Sequence, residues 1–343
     1  MPPTPRAMNS RTDETPTSKS RTSKSCTSKS RTNASHKRKA RWAIPLAAGA
    51  SLALVGGALL WSPADKADAA PAGQDTKAAF TAVAAGDIAE QCTSDDSGCE
   101  HPKTAELVKK LNPSFVMTMG DNQYDDARLK DFEAYYDTSW GTFKDKTRPV
   151  PGNHETYDPD GALEGYKSYF GDIAYPKGES YYSFDQDNWH FIALDSNSFD
   201  DDAQIDWLKA DLAANSKKCV AAYWHHPLYS SGEHGNDPVS RPVWKLLYDK
   251  KAELVMNGHD HHYERFAPQN PDGKADANGI VELLGGMGGA NPYKIEEVQP
   301  NSEKRLTKTF GVVKLDFTDT GFSWNLIGTD GATKDSSPSY KCH

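Results

Sequence analysis

Five short apolar runs in this 343-residue chain each end abruptly in a cluster of Gly, Asp, Asn or His. Thr81–Ala85 runs into Gly86-Asp87, and Ser114–Met119 into Gly120-Asp121-Asn122-Gln123-Tyr124. Arg148–Val150 leads to Gly152-Asn153-His154-Glu155, and Val220–Trp224 to His225-His226-Pro227. Glu253–Met256 leads to Gly258-His259-Asp260-His261-His262-Tyr263-Glu264-Arg265. Runs this short, bounded by turn residues, fit buried strands better than helices. Amphipathic helical patterns lie between them, at Thr104–Leu111, around Arg128–Tyr136, at Gln204–Ala214 and at Val243–Tyr248. Tyr181–Asp185 with Trp189–Leu194, and Val312–Phe317 with Phe322–Ile327 across Asp319-Thr320-Gly321, read as hairpins, and Val281–Leu284 as a further strand. The alternation predicts an α/β chain of the α+β type, a sandwich of two mixed sheets flanked by helices. Side chains at the carboxyl ends of neighbouring strands in such sheets converge on one crevice, so clusters far apart in sequence are expected to meet.

The residue types in those clusters suit two metal ions of different hardness. Carboxylate and phenolate oxygens, as Asp87, Asp121 and Tyr124 offer, suit a hard trivalent ion. Imidazole and amide oxygen, as His225, His259 and Asn153 offer, suit a divalent one. Two cations roughly 3.5–4 Å apart repel, and a carboxylate shared between them offsets this, which is the part expected of Asp121.

The clusters resemble those of the calcineurin-like metallophosphoesterase superfamily. Two details resemble its purple acid phosphatases: Tyr124 three residues after Asp121, as in G-D-x-x-Y, and His259 to Arg265, as in G-H-x-H-x-Y-E-R. The resemblance runs from about residue 86 to 265 and implies the fold of that superfamily. It implies that His261 joins Asp87, Asp121 and Tyr124 around Fe(III), while Asn153, His225 and His259 hold Zn, Mn or Fe(II) beside the shared Asp121. His154 matches the family's active-site histidine, a phosphoryl binder or proton donor, and His234 stands where plant members carry a leaving-group histidine. Of the neighbouring pair His225 and His226, the family's H-x-P selects His225, leaving His226 to pack or to support a ligand, as His262 would. The implied reaction is hydrolysis of phosphate monoesters, with metal binding lowering the pKa of water so that hydroxide attacks phosphorus in line. A phosphodiesterase or nucleotidase using the same centre is the alternative, and a non-catalytic metal- or phosphate-binding surface protein a more distant one. The chain departs from the family's usual G-D-x-G at Gly86-Asp87-Ile88-Ala89, losing a glycine's backbone freedom at position 89.

The rest of the chain bears on location and partners. Residues 1–41 are rich in Ser, Thr, Lys and Arg, with a five-residue repeat starting at Thr17, Thr22 and Thr27, and are expected to be disordered. Residues 42–69 hold an apolar run from Trp42 to Trp61 and a small-residue site at Ala67-Asp68-Ala69, the pattern of a cleaved secretory signal. An uncleaved anchor is the alternative, although Pro45, Gly49, Gly56 and Gly57 make a poor spanning helix. Residues 70–343 then form one catalytic domain. They keep 27 basic and 44 acidic residues, a formal net charge of −17, which disfavours nucleic acid as the main partner and leaves small phosphate esters. Once exported, the chain has no reason for stable membrane association. Its remaining cysteines, Cys92, Cys99, Cys219 and Cys342, make an even count that suggests two disulfides, a short loop between the first two and a tie between the last two. Gly285-Gly286-Met287-Gly288-Gly289 lacks the lysine and helix of a phosphate-cradling loop and reads as a tight turn beside the site. Asp200-Asp201-Asp202 reads as the N-terminal cap of the following helix.

Overall fold

A computed structural model describes residues 78–343. The expected leader and signal segment lie outside the described residues. Fourteen strands follow in chain order: β1 Phe80–Ala85, β2 Phe115–Met119, β3 Thr147–Val150, β4 Tyr182–Gln186, β5 Trp189–Ala193, β6 Cys219–Tyr223 and β7 Leu254–Asn257. After them come β8 Tyr263–Phe266, β9 Val281–Gly285, β10 Ser302–Leu306, β11 Gly311–Thr318, β12 Gly321–Gly328, β13 Thr333–Ser336 and β14 Tyr340–Lys341. They form two mixed sheets. One has the order β13-β12-β11-β1-β2-β3 with β14 beside β12, and the other the order β10-β8-β9-β7-β6-β5-β4.

Alternation along the strands builds a sandwich covered on both sides. Ala82 and Ala84 of β1 face the core between the sheets, while Val83 and Ala85 face outward. Phe191 and Ala193 of β5 face the same inner core, and Ile192 faces the opposite way. The inner core is largely aromatic, with Phe317 stacked on Phe80 and edge-on to Trp189. Outside the first sheet pack the helix His101–Leu111 and the segment Phe132–Tyr136, and outside the second the helices Asp202–Ala214 and Arg241–Asp249. Because β2, β5, β6, β7 and β9 are buried on both faces, they read as mainly apolar runs, interrupted by Thr118, His190, Asn257 and Glu282.

Several elements depart from the sequence expectation. The first helix starts at His101 because Pro102 fits its first turn, where no N–H is needed. The segment expected as one helix around Arg128–Tyr136 is a single turn, Leu129–Asp131, followed by a wider π turn. There the Asp137 N–H reaches back to the Phe132 carbonyl, while the Tyr136 N–H leaves the ladder for Gln123 Oε1 at 3.2 Å. Strand β10, all charged or polar except its last residue, lies at a sheet edge, where charge blocks further pairing. The Asp201 side chain caps the Ala203 N–H at 2.8 Å, as expected of the acidic run. The disulfides pair Cys92 with Cys99 and Cys219 with Cys342.

Candidate metal centre

The carboxyl ends of β1, β2, β3, β6 and β7 bring the five clusters together across both sheets. Backbone bonds fasten the loops: the Asp87, Ile88 and Ala89 N–H groups donate to the Gly120, Asp121 and Asn122 carbonyls, and Gly258 N–H donates to the His225 carbonyl. Asp87, Asp121 and His259 have φ of 59°, 46° and 73°, the left-handed region that non-glycine residues enter at a cost. Ala89 is not among the positive-φ residues, so the missing glycine there removes no freedom the loop needs. The glycine turn after β9 lies against the site as expected. A Cβ on Gly286 would meet the Asp260 carbonyl at 2.2 Å and Asp87 Oδ2 at 2.8 Å.

Seven side chains meet in two groups that share one carboxylate. The Tyr124 hydroxyl lies 3.0 Å from Asp87 Oδ1, 3.2 Å from Asp121 Oδ2 and 3.0 Å from His261 Nε2. His225 Nε2 lies 3.0 Å from Asn153 Oδ1, 3.2 Å from Asp121 Oδ2 and 3.2 Å from His259 Nδ1. Asp121 Oδ2 therefore belongs to both groups. Adjacent donors on an ion bonded at about 2.1 Å lie about 3.0–3.4 Å apart, so these spacings are those of a coordination sphere.

Proton bookkeeping points the same way. His225 Nδ1–H donates to the Met119 carbonyl at 2.9 Å and His261 Nδ1–H to the Asn291 carbonyl at 2.7 Å, which turns both Nε2 lone pairs inward. Asn153 Oδ1, Asp121 Oδ2 and His259 Nδ1 then crowd His225 Nε2, and one proton there cannot serve both oxygens. Burial opposes charge on His225, but the carboxylates of Asp121 and Asp87 push its pKa up to about 9, so the pocket calls for positive charge at this point. Burial likewise opposes ionisation of Asp121, yet His225 and His154 hold its carboxyl far below the usual range. The Tyr124 phenol is pushed far up by burial and then by Asp121 and Asp87, so a phenolate there requires a strong cation beside it. The donor set thus fits a pair of cations.

The remaining oxygens of the two carboxylates are tied to backbone. Asp87 Oδ2 accepts the His259 N–H at 3.0 Å, and Asp121 Oδ1 accepts the His154 N–H at 2.9 Å. The His154 ring lies 4.3 Å from that of Tyr124 and donates through Nδ1 to the Asp125 carbonyl at 2.6 Å, with Nε2 3.9 Å from Asp121 Oδ2. His234 is exposed at the rim, stacked 4.1 Å over His259. His262 is buried and turned away, paired with Glu264 at 3.0 Å. His226 is beside the second group, its ring 4.5 Å from that of His259.

Sequence reasoning missed three supporting residues. Buried Glu155 accepts four backbone N–H groups, from Asp121, Asn122, Gln123 and Gly152, and so clamps the loop after β2 to the loop after β3. Burial, then repulsion from Asp121, pushes its pKa up to about 7. Asp260, between two candidate ligands, bonds the Ser230 hydroxyl and accepts the His234 N–H at 3.0 Å, which fixes the rim loop. Tyr157 accepts the Asn153 Nδ2–H at 3.0 Å, leaving Oδ1 for the metal side. An acid inside each ligand cluster was the available signal for Glu155 and Asp260; nothing in sequence marks Tyr157.

The protein is 30% identical over 222 residues to purple acid phosphatase 15 of Arabidopsis thaliana, a stretch that covers 59% of this chain and 41% of that protein. The chain therefore spans less than half the length of that relative. In structure it is similar to a purple acid phosphatase from yellow lupin (Lupinus luteus) seeds, with a TM-score of 0.63 and 20% identity over 75% of this chain and 53% of that one. A Plasmodium protein described as the anchor in the inner membrane complex shares the fold too, with a TM-score of 0.56 and 14% identity over 78% of this chain and 89% of that one. The profile described as calcineurin-like phosphoesterase matches residues 81–263, from β1 to the start of β8, and the chain belongs to that family.

Proposed function

We propose that the chain hydrolyses phosphate monoesters at a pair of metal ions, Fe(III) held by Asp87, Asp121, Tyr124 and His261 and a divalent ion held by Asp121, Asn153, His225 and His259. The observation that carries this reading is Asp121 Oδ2, 3.2 Å from both Tyr124 and His225, the one atom common to two otherwise separate donor groups. Bound metals supply Lewis acidity and activate water for in-line attack on phosphorus. The protein's own residues do the rest. His154, oriented through Nδ1, presents Nε2 to a phosphoryl oxygen or to the proton-demanding leaving alkoxide. His234 stands at the rim as a second proton donor for the leaving group. The acidic chain favours small esters over polyanions, and residues 70–343 act as one exported catalytic domain, a reading the two disulfides support. Among the described residues, no helix is long and apolar enough to cross a membrane.

The visible absorption spectrum, recorded with metal content, tests the iron assignment. A tyrosinate on Fe(III) gives a broad purple band, expected in the wild-type protein and lost in Tyr124→Phe. A colourless protein with two metals per chain and full turnover would remove iron, and with it the role of Tyr124 as ligand.

A further inference from the structure

A third imidazole stands at the second donor group with no part in the scheme above. A ring nitrogen of His226 lies within 4.8 Å of those of His225 and His259, and its ring centroid is 4.9 Å and 4.5 Å from theirs. The ring is partly exposed while its backbone is fixed on both sides. The His226 carbonyl accepts from Trp224 Nε1 at 2.8 Å and from the Ser240 hydroxyl at 2.7 Å, and the His226 N–H donates to Ser196 Oγ at 3.1 Å. The same Ser196 Oγ lies 2.7 Å from His226 Nδ1, and Ser196 is buried. No other acceptor for the buried hydroxyl's proton occurs among the described residues, so the hydroxyl donates to Nδ1 while its oxygen receives the backbone N–H. That leaves the proton of the neutral ring on Nε2. A protonated Nε2 cannot ligate a metal, so this imidazole differs from its neighbours His225 and His259 in what it can do.

The geometry points to His226, held in its Nε2–H tautomer by Ser196, as an oxyanion-binding residue that donates to a phosphoryl oxygen resting on the divalent-ion side of the centre. This deepens the phosphoesterase reading and rests on it. The ligand class is a tetrahedral oxyanion, either the ester's phosphoryl group or the inorganic phosphate product. A fixed neutral donor binds it without adding a cation beside the metals. Ser196 acts through His226 and is a positioning residue, since its hydroxyl sets which ring nitrogen carries the proton.

The test uses the metal-loaded, full-length protein, with inorganic phosphate as probe, and measures phosphate affinity by calorimetry and divalent-ion affinity by competition with a chelator. His226→Leu is expected to weaken phosphate binding by about tenfold, the worth of one hydrogen bond to an anion, with divalent-ion affinity unchanged. His226→Gln, whose amide N–H can take the place of Nε2–H, is expected to recover most of it. Ser196→Ala is expected to weaken phosphate severalfold with the metals again retained. Wild-type phosphate affinity in a folded His226→Leu overturns the proposal. So does a loss of divalent-ion affinity in that variant, which would make His226 a ligand. Turnover of the wild-type protein reports on the phosphoesterase reading separately, because phosphate binding is measured without it.

Discussion

Imidazoles meet carboxylates at both ends of the second sheet, with opposite outcomes. At the carboxyl ends, His225, His259 and His261 face Asp87 and Asp121 with more lone pairs than protons. At the amino end of β5, His190 lies between Asp185 and Asp211, each 2.8 Å from its own ring nitrogen. There every carboxylate has a proton to itself, and Ser183 adds another to Asp211 at 2.7 Å. In the proposed reading the first cluster is completed by cations, whereas the second is complete as a salt bridge joining the β4–β5 hairpin to the helix Asp202–Ala214. Composition does not separate the two. What separates them is whether the outward ring nitrogen is tied to a backbone carbonyl, as in His225 and His261, or to a second acid, as in His190.

Removing the shared oxygen should break that contrast most severely. Asp121→Ala is expected to abolish binding of both ions and to lower kcat by at least about a thousandfold, read by elemental analysis and turnover. If one ion stays tightly bound, the two donor groups are independent and Asp121 is not shared. Next in size is Glu155→Ala, which strands four buried backbone donors. A stability loss of about 3–5 kcal/mol in denaturant unfolding is expected, from a residue that touches no metal. Tyr157→Phe should be milder, weakening the divalent ion about tenfold by releasing the Asn153 amide while the fold stays intact. Unchanged divalent-ion affinity would reduce Tyr157 to a surface residue.

The smallest effect belongs to the salt bridge. Burial disfavours charge on His190, but its hydrogen bonds to Asp211 and then Asp185 outweigh this and raise its pKa. Burial would raise Asp211, but the bonds from His190 and then Ser183 lower it. A raised imidazole pKa stabilises fully below its ordinary value of about 6.5, and the benefit fades as pH rises through the raised one. A lowered carboxyl pKa stabilises above about 3.9, and its benefit fades as pH falls through the lowered one. His190→Asn should therefore cost about 1 kcal/mol at pH 5 to 6, since Asp185 is half exposed, and less as pH rises through the raised imidazole pKa. Metal content and turnover should not change. A change in metal content would mean that the two ends of the sheet are coupled.

The strands that carry the site were legible because burial leaves a short, mainly apolar run, and because each run stops at a Gly, Asp or His. The edge strands were not. In β10, Ser302–Leu306, the side chains answer to solvent and to the avoidance of further pairing, so no period shows. The wider turn at Phe132–Tyr136 also escaped notice, since its cause is the Gln123 side chain, thirteen residues from Tyr136 in sequence. Within the site, the ligand candidates were readable because coordination chemistry restricts residue type. Their supports were not, because Glu155 is defined by backbone amides from two separate loops, and His226 by a serine thirty residues away.

The claim that two ions share Asp121 and drive ester hydrolysis is tested most directly by titrating metal back into chelator-treated protein while following hydrolysis of an aryl phosphate. Activity should be absent without metal and should saturate at about two ions per chain. Hydrolysis that survives complete chelation, saturation at one ion, or a protein with two ions bound that hydrolyses no ester would contradict it.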